Sequence, residues 1–149
     1  MRKVKEYELQ DDGKALKVRI TQMPAQQAAY FVIDVLCLLG VESMSALSKK
    51  SSEEIVSSMV RAARDKAEVH RLLDQLLCCC ERVTETGGTV ALTPATVSGQ
   101  VSDWLTVISL YVLSLEVNGG FFGAGALDRF REAASSIGQQ LRSVGWLST

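Results

Sequence analysis

Between Asp103 and Glu116 the chain runs Trp104-Leu105-Thr106-Val107-Ile108-Ser109-Leu110-Tyr111-Val112-Leu113-Ser114-Leu115 without a charged side chain. Wound into a helix, this run is apolar on nearly every face, so it has no polar side to turn toward water. In a chain of 149 residues such a helix is either the central helix of the fold or one whose second face meets another molecule. A transmembrane reading fails on length and charge, because a span takes about 20 predominantly apolar residues. The acids Asp103 and Glu116 flank this run, and Asp34 interrupts the other apolar stretch, Ala28 to Val41. No membrane partner is expected.

The chain ahead of this helix begins with two alternating segments, Val4 to Leu9 and Ala15 to Thr21. In the second, Leu16, Val18 and Ile20 share one face and Lys17, Arg19 and Thr21 the other, the period of a half-buried strand. Asp12-Gly13 between them supplies the positive-φ residues of a tight hairpin turn. Pro24 then suits the first position of a helix, expected from about Pro24 to Leu39 and ended by Gly40. Its stripe of Ala28, Phe31, Val32, Val35, Leu36 and Leu39 is expected to cover the apolar face of the hairpin.

Ser51 with Glu54 makes a capping-box pattern. It opens an amphipathic stretch that runs to Leu77, with a break near Lys66 left open. The pair Gly87-Gly88 separates two short segments between Arg82 and Leu92 that form either a small hairpin or a loop. Thr93-Pro94 and Ser102-Asp103 are successive helix-start signals, so a short turn precedes the apolar helix. That helix is expected to end at Asn118-Gly119. A further helix over about Ala126 to Leu141 and a loosely held tail over 142–149 complete the reading.

With 47% hydrophobic residues the chain can close one substantial core, and a single domain is the expectation. The fold class expected is mainly α with a small N-terminal β-hairpin (α+β): a hairpin over 4–21 and a helical region over 24–141 with a bundle-like core of about four helices.

Chemistry finds little to build on. Sixteen basic and 17 acidic residues give a formal charge of -1 and are spread along the chain, which leaves nucleic-acid binding without electrostatic support. Cys78, Cys79 and Cys80 are adjacent and, with Cys37, match no zinc or redox spacing; they read as reduced thiols used as small apolar residues. The lone His70 has no nucleophile or second ligand at a helical spacing. The glycines around Phe121 lack the Gly-Lys-Ser/Thr ending of a phosphate loop, and no Gly-x-Ser-x-Gly elbow is present. No enzymatic activity, cofactor or metal is expected. A thiol enzyme built on Cys78 to Cys80 near His70 is the enzymatic alternative, and it lacks a positioned base.

The unusual features are apolar: the helix from Trp104, then Phe121-Phe122 set among glycines, and Trp146 near the end. Aromatic side chains in such settings are enriched at interfaces, although Phe121 and Phe122 equally suit folding back as core anchors. The candidate protein-binding residues are Trp104, Leu105, Ile108, Tyr111, Leu115, Phe121 and Phe122.

The order of elements carries a resemblance. A hairpin with Asp-Gly, then Arg19-Ile20-x-x-Met23-Pro24-Ala25 leading into an apolar helix, then Asp103-Trp104 before a helix closing in Glu116-Val117-Asn118-Gly119-Gly120-Phe121-Phe122 together resemble the tail assembly chaperones of long-tailed, siphovirus-type bacteriophages. The resemblance spans about Glu6 to Phe130. It implies a non-structural protein in the cytoplasm of the infected host, absent from the mature virion. Such a protein coats the helical tape measure protein and helps recruit tail tube protein. It further implies head-to-tail self-association, a contact that does not close into a ring. The competing interaction-protein reading is a small helical adaptor or connector that stays in a particle.

Overall fold

In a computed structural model of the chain the described residues are 2–40, 49–119 and 132. The alternating segments form the hairpin. Strands β1 (Val4–Asp11) and β2 (Lys14–Thr21) pair antiparallel from Val4↔Thr21 to Asp11↔Lys14. Asp12 and Gly13 both have positive φ, 53° and 78°, as a two-residue primed turn requires. Tyr7 and Leu9 lie opposite Val18 and Leu16 and share their inner face. On the outer face Arg19 donates to Glu6 at 2.9 Å, and Lys17 stands 3.8 Å from the same carboxylate.

Helix α1 (Ala25–Leu39) follows Pro24 and stops at Gly40, whose φ is 91°. The amphipathic stretch after Ser51 is two helices, α2 (Ser52–Ala62) and α3 (Lys66–Leu77). Ser51 Oγ accepts the Glu54 amide at the start of α2, and Asp65 caps α3 by accepting the amide of Ala67 at 3.0 Å. Ala63 takes an extended conformation between them, so the break falls just before Asp65.

The chain then does something not expected of a helical region. Strand β3 (Cys80–Val83) pairs antiparallel with β2 through Ile20↔Cys80 and with β4 (Thr89–Ala91) through Arg82↔Val90. The result is a four-stranded antiparallel sheet in the order β1-β2-β3-β4. This corrects the expected fold class: the architecture is α+β with a full sheet, not a bundle-like helical core carrying a lone hairpin. Residues 80–83 and 89–91 fall within the supposed helical region. The short turn α4 (Val97–Gln100) and the long helix α5 (Trp104–Val117) complete the described elements. The connection at 41–48, the helix expected over 126–141 and the tail over 142–149 lie outside the described residues.

Two apolar clusters result. Met23, Phe31, Val35, Leu36, Ile55, Met59, Leu72, Leu76 and Leu115 pack α1, α2, α3 and the end of α5 together. Leu16, Val18, Ile20, Cys80, Leu92, Val101, Leu110 and Val117 pack the sheet against α5. The second cluster corrects the expectation for α1: its buried residues join the helical layer, and α5 covers the hairpin. Tyr111 and Cys79 are half-buried and touch both clusters, so from about Leu110 onward α5 lies between sheet and helices, and two apolar neighbours account for the apolar character of that part of the helix.

Candidate protein-binding site

The start of α5 is held by an unusual cap. Asp11, at the end of β1 and buried, accepts the amide of Ser102 at 2.9 Å through Oδ2 and that of Asp103 at 2.9 Å through Oδ1. Thr106 Oγ1 donates to the carbonyl of Gln10 at 3.3 Å. Asp103 itself accepts the amide of Leu105 at 3.0 Å as the N-cap. Burial works to raise the Asp11 pKa, but the Ser102 and Asp103 amides, Thr106 and the nearby Arg82 outweigh it and hold the carboxyl below its ordinary value.

The far end of α5 is tied just as firmly. Ser114 Oγ donates to the carbonyl of Leu76 at 2.7 Å. Asn118, fully buried, accepts the Met23 amide at 2.9 Å and donates to the Ser114 carbonyl at 2.8 Å. Both termini of α5 are thus tied to other elements, and its exposed part lies between those ties.

That exposed part is its first turns. Trp104 is 68% exposed, Leu105 55% and Ile108 41%, and their spacing of three and four residues puts them on one face. Together they present on the order of 300 Å² of apolar surface, the size at which a single patch on a monomer is often functional. Of the seven expected binding residues these three are therefore brought together in the open. Tyr111 is half-buried between the two clusters. Leu115 is 1% exposed in the helical core, because the last turns of α5 are enclosed by α1, α2 and α3. Phe121 and Phe122 lie outside the described residues.

A second apolar surface was missed in the sequence. Tyr30 and Ile33 on α1 are 57% and 50% exposed. With Met23, Gln27 and Asp34 they face Arg71, Asp74, Gln75 and Cys78 of α3 and its cap across a groove of about 540 Å³. The signal was present: Tyr30 and Ile33 lie off the stripe of α1, and a large apolar residue off the buried face of an amphipathic helix needs a second neighbour.

The thiols separate by depth. Cys37 and Cys78 are exposed, Cys79 is intermediate and Cys80 buried. Burial raises all of the Cys78, Cys79 and Cys80 thiols, aided at Cys78 by Asp74, and pushes Cys80 up to about 12. At neutral pH they are protonated, which is the unreactive form. His70 is exposed on α3. Among the described residues no three His, Cys, Asp or Glu side chains converge as a metal site, and no helix is long and apolar enough to cross a membrane.

A comparison with known protein families, curated proteins and solved structures finds no match for this chain.

Proposed function

We propose that this chain is a non-enzymatic protein-binding subunit of the tail assembly chaperone type, which covers apolar surface on the helical tape measure protein of a long-tailed phage until tail tube protein replaces it. The observation that carries the reading is the exposed row Trp104, Leu105 and Ile108 on a helix whose two ends are pinned. Rigid aromatic and aliphatic anchors lose little conformational entropy on binding. One such patch is small beside a stable interface of about 1,600 Å², so each contact is weak, and repetition along a long client supplies the strength. Apolar contact without directional bonds suits a client whose sequence varies along its length. Action in the host cytoplasm, head-to-tail self-association and absence from the mature virion belong to the same proposal.

The test is co-expression of the tagged chain with the tape measure protein of its own genome, alongside a Trp104→Ser/Ile108→Ser double variant. The expected result is a soluble client that co-elutes with the wild-type chain and precipitates with the variant. A client whose solubility is indifferent to the wild-type chain refutes the chaperone reading.

A further inference from the structure

We propose that the groove between α1 and α3 is a second binding site, and that it takes an amphipathic helix of another protein carrying a basic side chain about one turn from its apolar anchors. The proposal rests on the reading of the chain as a binder of helical protein, and adds a place and a recognition chemistry separate from the Trp104 row.

Geometry and charge both point there. The groove runs between two helices, with Gln27, Tyr30 and Asp34 of α1 stepping along one wall, Met23 just ahead of that helix, and Arg71, Asp74, Gln75 and the cap residue Cys78 along the other. These spacings of three, four and seven residues are those of a helix face. A trough between two helices is the shape into which a third helix lays its apolar side. Its lining is mostly apolar, with Met23 buried at the base and Tyr30 and Ile33 standing out from α1.

The rim selects charge. Asp34 is occupied: Arg71 stands 3.9 Å from Oδ1 and Gln75 Nε2 donates to Oδ2 at 3.3 Å. Asp74, on the same wall as Arg71, accepts the Cys78 amide through its backbone carbonyl, but its carboxylate has no hydrogen bond or ion pair from any described residue. It is only half-exposed, and its charge is felt at Cys78 and Tyr111, whose pKa values burial and Asp74 together raise. A partly desolvated carboxylate beside an apolar trough favours a cation brought in by the occupant. The two acids and one base of the rim leave the groove net negative, which disfavours an acidic helix.

The experiment uses the full chain and two labelled synthetic peptides of about five helical turns, each with a leucine stripe. One carries arginine one turn beyond the stripe and the other glutamate at that position. Fluorescence anisotropy at low salt is expected to show the arginine peptide binding several-fold more tightly than the glutamate peptide. Asp74→Asn should reduce that preference by about two- to fivefold, the range of a partly exposed charge pair. Ile33→Asp, at a surface position, should weaken both peptides by tenfold or more, with circular dichroism checking that it folds. Equal affinity for the two peptides, or binding lost with Trp104→Ser and untouched by Ile33→Asp, overturns the proposal. So does self-association of the free chain that Ile33→Asp abolishes, since that would assign the groove to a second copy. The tape measure experiment reads the Trp104 row, so the two readings fail separately.

Discussion

Replacing Asp11 should uncouple the hairpin from the start of α5. In the structure its carboxylate accepts the amides of Ser102 and Asp103, each at 2.9 Å. An amide left buried without an acceptor costs about 1–3 kcal/mol, but Ser102 is exposed and Asp103 half-buried, so water replaces part of the loss. Asp11→Ala should therefore cost about 2 kcal/mol, near the upper end of measured helix-cap deletions, and lower Tm by about 4–8 °C for a chain of this size. Asp11→Asn, which keeps one acceptor oxygen, should cost about half as much. The sign of the pH dependence follows from the direction of the shift. The folded pKa is below the unfolded value of about 3.9. The stabilisation is therefore complete above that value and disappears as pH falls through the folded pKa. Urea unfolding followed by circular dichroism from pH 7 down to about pH 3 should show wild type and Asp11→Asn converging as the pH drops. A difference at pH 7 below about 0.5 kcal/mol, or one that stays constant across the range, would refute this account of the cap.

Leu110→Ala, at a fully buried position between α5 and the sheet, should destabilise by about 2–5 kcal/mol in the same denaturation assay. Gly13→Ala forces a Cβ onto a residue at φ 78°; the open space around it makes the cost purely conformational, about 1 kcal/mol by thermal unfolding. Titration with a thiol reagent at pH 8 should modify exposed Cys37 in the folded protein, and exposed Cys78 more slowly, because burial and Asp74 raise its thiol. Cys80, buried with its pKa pushed up to about 12, should react only after denaturant is added.

The local devices were legible because each writes its own signature. Asp12-Gly13, Ser51 with Glu54 and Asp103 ahead of Trp104 are short-range patterns, and the structure shows a primed turn and caps at those positions. The sheet was legible only in part: Gly87-Gly88 left either a small hairpin or a loop between Arg82 and Leu92, and the structure shows the hairpin β3-β4, but nothing in the sequence marked the pairing of β3 with β2. Cys80-Glu81-Arg82-Val83 shows no apolar alternation, and only Cys80 is fully buried. Arg82 shares the inner face with Val18 and reaches Gln100 with its guanidinium at 3.1 Å, so a charged residue occupies a place where the pattern demands an apolar one. Its pairing with β2 is made by backbone across a long sequence interval, which no window along the chain can register. Among the expected site residues, the same limit misplaced Leu115. It is as apolar as Leu105, and only the position of α1, α2 and α3 around the end of α5 decides which of the two is enclosed.

The pairing of Ile20 with Cys80 also sets the order in which the chain can fold. The hairpin can close within microseconds, yet its inner residues Leu16, Val18 and Ile20 gain their third strand only after Cys80 has been made, and their covering helix only after Leu110. At about 5–20 residues per second of synthesis, the finished hairpin waits several seconds on the ribosome with its apolar face open. Long-range closure of this kind makes folding slow relative to a helical bundle of equal stability. The charged pairs of Glu6 with Arg19 and Lys17 keep the opposite face of that waiting hairpin soluble, and leave one side of it open to premature association.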